Sequence, residues 1–399
     1  MLFYAQQVDK KVGIAGYSVI LDTARLADTL ELARLLGASE DDLVSNNQAS
    51  MLRFDYVPES YYGCREGSWY EIPNEFWEGW GYQAIDPTGP GSVFLRGELS
   101  VPGEAKNFSR YLAAPRFIER DTISVPDAPL ADPNDIATTN NTTTLSVINC
   151  GHGNWNEIRT DSLRLMYDVG ASRMYDALQV EHLVQSQAIG VQGIEVKIYI
   201  SHWDVDHYQS LLKFTHADLS LITEVTAPSQ LPDTATCKRT MTLLDNHQIS
   251  VHLLPPAPRA TPGHTIDLIA IQRFGPLTVF RATAGRSRNQ SGIVLCYEGQ
   301  NKLALLVGDH HYEKILNAIQ GRFPSTKGCV FVAPHHGGNA GSIDVPNWRA
   351  LFSSFETVIS CGDNAWDHPL ADNLDGLSEL QNSLASWRTD HNGTFHITL

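Results

Sequence analysis

The sequence is poor in positive charge. It has 29 lysines and arginines against 45 aspartates and glutamates, a formal charge of −16 with histidine neutral. A surface of that sign repels polyphosphates within the screening length. Proteins that coat nucleic acid without sequence preference usually carry the opposite charge. Passive nucleic-acid binding is therefore disfavoured, whereas an enzyme that meets phosphate through bound cations is not. The sequence also lacks any run of about 18 apolar residues, the length a spanning helix needs, so no membrane segment is expected. The opening MLFYAQQVDKKVGIAGYSVILD has no basic segment leading into a long apolar run and a small-residue cleavage site, so no secretory leader is expected. The cysteines Cys64, Cys150, Cys237, Cys296, Cys329 and Cys361 form no CxxC pair. They predict buried, reduced thiols in a cytoplasmic protein rather than a disulfide framework or a cysteine metal cage. Internal repeats and low-complexity tracts are missing as well.

What is present is an ordinary globular composition: 42% hydrophobic and 19% charged residues over 399 positions, enough for one large core or two modest ones. The stretch PDAPLADPNDIATTNNTTT (126–144) is rich in Pro, Asp, Asn and Thr and reads as a linker. It separates an N-terminal α+β region, residues 1–140, from a second domain, residues 145–399. The first region opens with a strand pattern, VGIAGYSVIL. A helix follows, whose apolar face is expected at Leu26, Ala27, Leu30 and Ala33, with Gly37 ending it. A second helix start lies at Ser39 with Glu40, Asp41 and Asp42. Residues 56–82 hold Tyr56, Tyr61, Tyr62, Trp69, Tyr70, Phe76, Trp77, Trp80 and Tyr82. No Lys or Arg runs interleave with these rings, so they read as a small core or a packing face rather than a base-stacking platform. This region is a candidate cap, homo-oligomer contact or protein-partner surface.

After residue 145 short apolar runs alternate with helical segments, and each run stops at polar residues. TLSVINC stops at Gly151-His152-Gly153-Asn154, LRLMY at Asp168-Val169-Gly170, and VKIYIS at His202-Trp203-Asp204-Val205-Asp206-His207. LALLV stops at Gly308-Asp309, CVFVA at Pro334-His335-His336-Gly337-Gly338, and ETVIS at Cys361-Gly362-Asp363-Asn364 with His368 beyond. DALQVEHLVQSQAIG, HYEKILNAIQ and NWRALFSSF read as the intervening helices. The pattern predicts an α/β layered domain with buried strands.

Strand ends of α/β folds converge on one sheet edge, where such folds place their sites. Here those ends carry His and Asp, the donors that zinc and manganese accept. His202-x-Asp204-x-Asp206-His207 packs four donors directly behind a strand, enough for two neighbouring ions. Asp309 reads either as the N-cap of the following helix or as a carboxylate bridging two cations. His310 and His311 are expected at the surface or behind the ligands. Of His335 and His336, one is expected to bind metal and the other to orient it or touch substrate, with the following glycines letting backbone approach.

At these residues the chain resembles the metallo-β-lactamase superfamily. SHWDVDH is similar to its His-x-His-x-Asp-His loop, with Asp204 in place of the second histidine. VINCGHGNWNEI, LRLMYDVGAS, RNQSGIVL, LALLVGD, VAPHHGG and SCGDNAWDHP resemble the other motifs in order, with Asn154 where Asp is usual. Within the superfamily they are similar to the hydrolase domain joined to bacterial competence (DNA-uptake) channel proteins. The resemblance covers about residues 145–399. It implies a four-layer αββα sandwich with two divalent ions, zinc or manganese, at its edge. By position, His202 and Asp204 would hold one ion, Asp206 and His207 the second, and Asp309 would bridge them. His335 would complete the second site, with His336 as the competing choice. The usual third histidine of the first site falls near Asn289, a poorer ligand, and His264 in TPGHT lies too far from Asp309 to replace it. The implied chemistry is hydrolysis by a metal-activated water. Asp206 would orient the nucleophile, and His368 or His336 would protonate the leaving group. A phosphodiester in nucleic acid or a nucleotide is the expected substrate. The alternatives are a lactone, thioester or other small ester on the same fold, and a non-catalytic metal-binding module.

Overall fold

The computed structural model describes residues 1–10, 16–35, 50–58, 64–78, 93–97, 111, 142–175, 177–189, 194–259, 265–285, 287–364 and 367–399. The expected linker core, the helix start at Ser39, Gly37, His264 and several of the aromatics (Tyr61, Tyr62, Trp80, Tyr82) lie outside these residues. The chain divides into two compact units: Met1–Ser124 with Met174–Ser186 and Leu231–Leu243, and Val125–Arg173 with Gln187–Gln230 and Leu244–Leu399. Among the described residues no helix is long and apolar enough to cross a membrane.

The first unit holds a five-stranded sheet of order β4-β1-β2-β3-β5, with β1 Leu2–Lys10, β2 Gly16–Thr23, β3 Ser50–Pro58, β4 Trp69–Glu71 and β5 Val93–Gly97. Phe3, Val19, Leu21, Tyr70, Ile72 and Trp77 form its core, so the described part of the aromatic stretch is packing. The expected helix is present at Leu26–Leu35, but its buried face differs from the expected one. Leu26 is 45% exposed, whereas Thr29 and Leu32 are buried. The reason is polar: the Thr29 hydroxyl meets that of Thr23 at 2.5 Å, which turns the helix by that side chain rather than by Leu26.

Asp22 sits in β2, fully buried. Burial pushes its carboxyl up to about 7, against the opposing pull of Thr236, Thr234 and Arg239. A group raised in the fold stabilises it fully below its unfolded value near 4, and that contribution is lost as pH rises through about 7. Asp22→Asn cannot ionise. It is predicted to flatten this dependence and to gain on the order of a few kcal/mol over the wild type at pH 8. Urea melts at pH 5 and pH 8 test this; parallel losses with pH in both proteins would contradict it.

The second unit contains two seven-stranded sheets. One has the order β11-β10-β9-β8-β7-β6-β19, with β6 Thr144–Val147, β7 Trp155–Arg159, β8 Leu163–Val169, β9 Glu195–Tyr199, β10 Ile222–Pro228, β11 Ser250–Leu254 and β19 Phe395–Thr398. The other has the order β12-β13-β14-β15-β16-β17-β18, with β12 Leu268–Phe274, β13 Leu277–Ala282, β14 Ile293–Glu298, β15 Lys302–Leu306, β16 Gly328–Val332, β17 Ser354–Ile359 and β18 Trp387–Arg388. Strands β8 to β11 run parallel, as do β15 to β18.

Period-two alternation sorts the strand residues between two cores. Val279, Ile293, Leu295, Ala304 and Leu306 face Leu145, Ile158, Leu165 and Tyr167 of the first sheet. Their neighbours Phe280, Val294, Cys296, Leu303, Leu305 and Phe331 face the other way, onto Tyr312, Ile315, Trp348 and Leu377. Those residues come from helices Tyr312–Ile319, Val345–Arg349 and Ala371–Leu380. This is the α/β sandwich that the resemblance implies. NWRALFSSF is helical only to Arg349; its end begins β17. All six cysteines are free, and all but Cys64 are buried.

Candidate metal centre

The parallel strands of both sheets end on one edge, and the donors sit just beyond those ends. After β9, a 3₁₀ turn over Val205–His207 follows Asp204, and the His207 N–H donates to the Asp204 carbonyl at 2.9 Å. That tight turn presents Asp206 and His207 in succession. After β15, Asp309 is buried. The N-cap position of the helix that follows is His311, without a side-chain capping bond, and not Asp309, so the carboxylate is left for the centre. After β16, the Pro334–Gly337 turn holds His335 at φ 50° and His336 at φ 55°. Two successive left-handed residues are strained, and the turn sends both imidazoles to carboxylates.

Asp309 divides its oxygens. Oδ1 lies 3.4 Å from His207 Nε2, and Oδ2 lies 3.6 Å from His202 Nε2 and 3.7 Å from His335 Nε2. His336 Nε2 is 3.5 Å from Asp206 Oδ2, and His202 Nε2 is 3.6 Å from Asp204 Oδ2. These separations are long for hydrogen bonds. They match donors sharing an ion, since two atoms each ~2.1 Å from a tetrahedral metal stand about 3.4 Å apart. The ligand atoms of His202, His207 and Asp309 lie within 4.8 Å of one another, and so do those of Asp206, His207 and His336. The centre thus brings together His202, Asp204, Asp206, His207, Asp309, His335 and His336. Of the adjacent histidines, His336 is the one against Asp206 and His207, while His335 reaches Asp309.

The imidazoles are aimed from behind. Asp168, at the end of β8, accepts from His207 Nδ1 at 2.8 Å, Ser201 Oγ at 2.8 Å and Asn154 Nδ2 at 2.7 Å through one oxygen. Its other oxygen accepts from the Ser201 N–H at 2.6 Å. His336 Nδ1 donates to the Ser360 carbonyl at 2.9 Å. Each partner fixes a tautomer with Nε2 toward the centre. Asp168→Asn keeps the size and tolerates the φ of 58° at this position, but replaces one acceptor of the His207 proton. It is predicted to weaken metal affinity by roughly 10–100-fold with little change in fold. Metal titration beside circular dichroism checks it, and unchanged affinity would remove Asp168 from the centre.

The electrostatics are dominated by burial and by cations. Burial raises the carboxyl of Asp204, but Arg288, His202 and Arg173 outweigh it and hold it below the usual range. Burial likewise opposes Arg173, His336 and His207 at Asp206, and the cations win. Asp309, raised by burial, is drawn down to about 2 by His335, His207 and His202. His207, lowered by burial, is lifted to about 10 by Asp309 and Asp168. His368 is pushed down to about 3 by burial and by His335 and His336, so it stands neutral at pH 7. His310 is buried, which leaves the position behind the ligands of the two expected for it, and is pushed down to about 3 by burial and His202.

Three residues of this edge have no role assigned from the sequence. His152 packs against His336 with ring centroids 4.3 Å apart and the rings tilted by 44°. Arg173 contacts Asp206 Oδ1 at 2.5 Å, and Arg288 Nε lies 2.9 Å from Asp204 Oδ1. The available signal was an acid-rich loop that must be neutralised when buried. It does not say which arginine answers it. Asn289, where the resemblance expects a histidine, directly follows Arg288.

No protein-family model matches the chain, and no curated protein does. Among solved structures, the chain is similar to the metallo-beta-lactamase fold protein YhfI from Bacillus subtilis, at 12% identity over 65% of this chain and 100% of that one, with a TM-score of 0.40. It is similar to a new diphosphatase from the PhnP family at 11% identity, 65% and 99% coverage and a TM-score of 0.35. It is also similar to chemotaxis sensor ODP, described as a peroxy diiron species, at 15% identity, 64% and 97% coverage and a TM-score of 0.29. These likenesses assign no residue, and the centre stands on its own geometry.

Proposed function

We propose that the chain is a metal-dependent hydrolase acting on a phosphate ester, with a phosphodiester in nucleic acid or a nucleotide as its substrate class. One observation carries the reading: Asp206, His207 and His336 turn their ligand atoms onto one point, beside an Asp309 carboxylate that faces His207 and His202 with different oxygens. These residues fit a divalent ion, because the buried Nε2 atoms of His207 and His336, like that of His202, have no hydrogen-bond partner, and buried imidazoles of this kind are ordinarily satisfied or ligated. A bound divalent ion supplies Lewis acidity and lowers the pKa of a coordinated water.

The chain's own residues do the rest. Asp206, kept ionised by Arg173, accepts a proton or orients the attacking water. His207 is held in register by Asp168. His336 spends Nδ1 on Ser360 and turns Nε2 to Asp206, which suits a ligand more than a leaving-group acid. His368 is neutral at pH 7 in the free protein, so it is not there the cationic acid that would protonate a leaving group. Two guanidiniums beside the carboxylates, Arg173 buried and Arg288 partly so, favour an anionic substrate over a neutral lactone or thioester. The similarity of the His202–His207 loop to competence-channel hydrolases supports the phosphodiester. The N-terminal unit, with its own sheet and core, is proposed as a partner or oligomer contact.

Chelation followed by add-back of manganese or zinc is the test, read on bis(nitrophenyl) phosphate, oligonucleotides, dinucleotides, lactones and thioesters. Metal-restored cleavage of the phosphodiesters alone is expected. Turnover confined to lactones or thioesters overturns the substrate class, and bound ion without any turnover makes the chain a metal-binding module.

A further inference from the structure

The loop expected to serve two ions carries an extra acid at Asp204, and that acid is already matched by cations. Arg288 Nε stands 2.9 Å from Asp204 Oδ1, and the Arg173 NH2 group stands 3.5 Å from Asp204 Oδ2 and 2.5 Å from Asp206 Oδ1. The Asp204, Asp206 and Arg173 side chains are 7% exposed or less, and that of Arg288 is 11% exposed. Buried ion pairs of this closeness persist because breaking one strands a charge. The position where the resemblance expects the third histidine of the first ion is Asn289, the neighbour of Arg288 in the chain. The segment in which the resemblance expects that histidine thus supplies Arg288 instead. The donors left on this side, His202 Nε2, Asp204 Oδ2, Asp309 Oδ2 and His335 Nε2, share their space with guanidinium charge already paired to Asp204.

Charge balance among the described residues points the same way. Asp168, Asp204, Asp206 and Asp309 are all buried, and Arg173 is buried with them. With the imidazoles neutral, as ligation requires, four carboxylates against the two guanidiniums leave two negative charges. One divalent ion cancels them. Two ions would leave a surplus of two positive charges, or of one with a hydroxide bound, in a site sheltered from water, where unbalanced charge is expensive.

Resting on the metal reading above, we infer that this centre holds one divalent ion, at Asp206, His207, Asp309 and His336, and that the Arg288 guanidinium, braced with Arg173 on Asp204, takes the place of the first ion. A planar guanidinium there presents fixed donors to an anionic ester oxygen, the role the first ion would otherwise serve. Asp204 in this arrangement is the seat of the arginine and not a metal ligand.

The test is ion stoichiometry on the intact chain, stripped with chelator, dialysed against manganese or zinc and measured by elemental analysis. Manganese electron paramagnetic resonance serves as a second readout. The expected result is one ion per chain with an uncoupled six-line spectrum, retained in His202→Ala and lost in His207→Ala. Arg288→Met should raise the count toward two, while Arg288→Lys, which keeps the charge, should stay at one. Two ions in the wild type with a spin-coupled spectrum, one of them lost in His202→Ala, overturn the inference and leave the hydrolase reading standing. No ion at millimolar metal removes both. Because the wild-type count decides the matter, a variant that fails to fold does not leave it open.

Discussion

Asp309→Ala is expected to strip the centre of its metal and to take hydrolysis with it. The carboxylate stands between His207 at 3.4 Å and His202 at 3.6 Å, using a different oxygen for each. Among the described residues the Ser201 hydroxyl also touches both imidazoles, but at Nδ1, so it does not compensate for a carboxylate lost at Nε2. A four-ligand zinc site binds with roughly 10–16 kcal/mol, so one ligand is worth about 3 kcal/mol, or about two orders of magnitude in Kd. Activity should fall further, by on the order of 10³-fold, because the same group holds the charge that stabilises the reacting oxygens. The variant also removes the main influence that lifts His207 against its burial. Elemental analysis of the purified variant, with a melting curve to show that it is folded, reads the outcome. A folded Asp309→Ala protein with its full complement of metal would falsify the centre as drawn.

Gly170→Ala is expected to do comparable damage without touching a ligand. A Cβ at Gly170 would lie 1.7 Å from the Asp206 carbonyl oxygen and 2.9 Å from that of Asn154. Both obstacles are backbone, and both are tied down: the Asn154 N–H donates to Asp206 at 3.0 Å, and the Gly170 N–H donates to Asn154 at 2.9 Å. The methyl group can therefore be admitted only by moving the turn that aims Asp206 and His207. Overpacking against backbone costs about 3 kcal/mol or more, and the metal loops take the displacement. Gly321→Ala is the comparison, because Gly321 has a positive φ, of 70°, and a methyl group added there meets nothing within 4 Å. It should cost only about 1 kcal/mol of backbone strain and keep its metal. Equal metal content in the two alanine variants would show that the turn after β8 does not position the site.

Much of the centre is readable in the sequence because metal donors leave a local mark. His202, Asp204, Asp206 and His207 crowd behind one apolar run, and Asp309 and the His335-His336 pair each follow another. A buried strand must be apolar throughout, so polar residues at its end stand out. The same reasoning fails where a polar group outweighs periodicity. The helix at Leu26–Leu35 buries Thr29 because its hydroxyl finds Thr23, and no window of apolar residues contains that bond. Asp309 stays open between cap and ligand in the sequence because both roles ask for an acid at a strand-to-helix junction. The helix starts two residues further on, with His311 at the N-cap position, and that decides between them.

The order of apolar runs and the donors at their ends were set by the sequence alone: two sheets, a helical layer and an edge lined with His and Asp. Which charges meet on that edge was set only by the tertiary structure. Arg173 and Arg288 lie on different loops from Asp204 and from each other, and neither is marked by its own neighbours in the chain. Their pairing with Asp204 follows from folding, which buries an acid that must then find a cation from wherever the chain supplies one. Periodicity is a property of near neighbours, whereas charge balance in a buried site belongs to the whole set of segments that close over it.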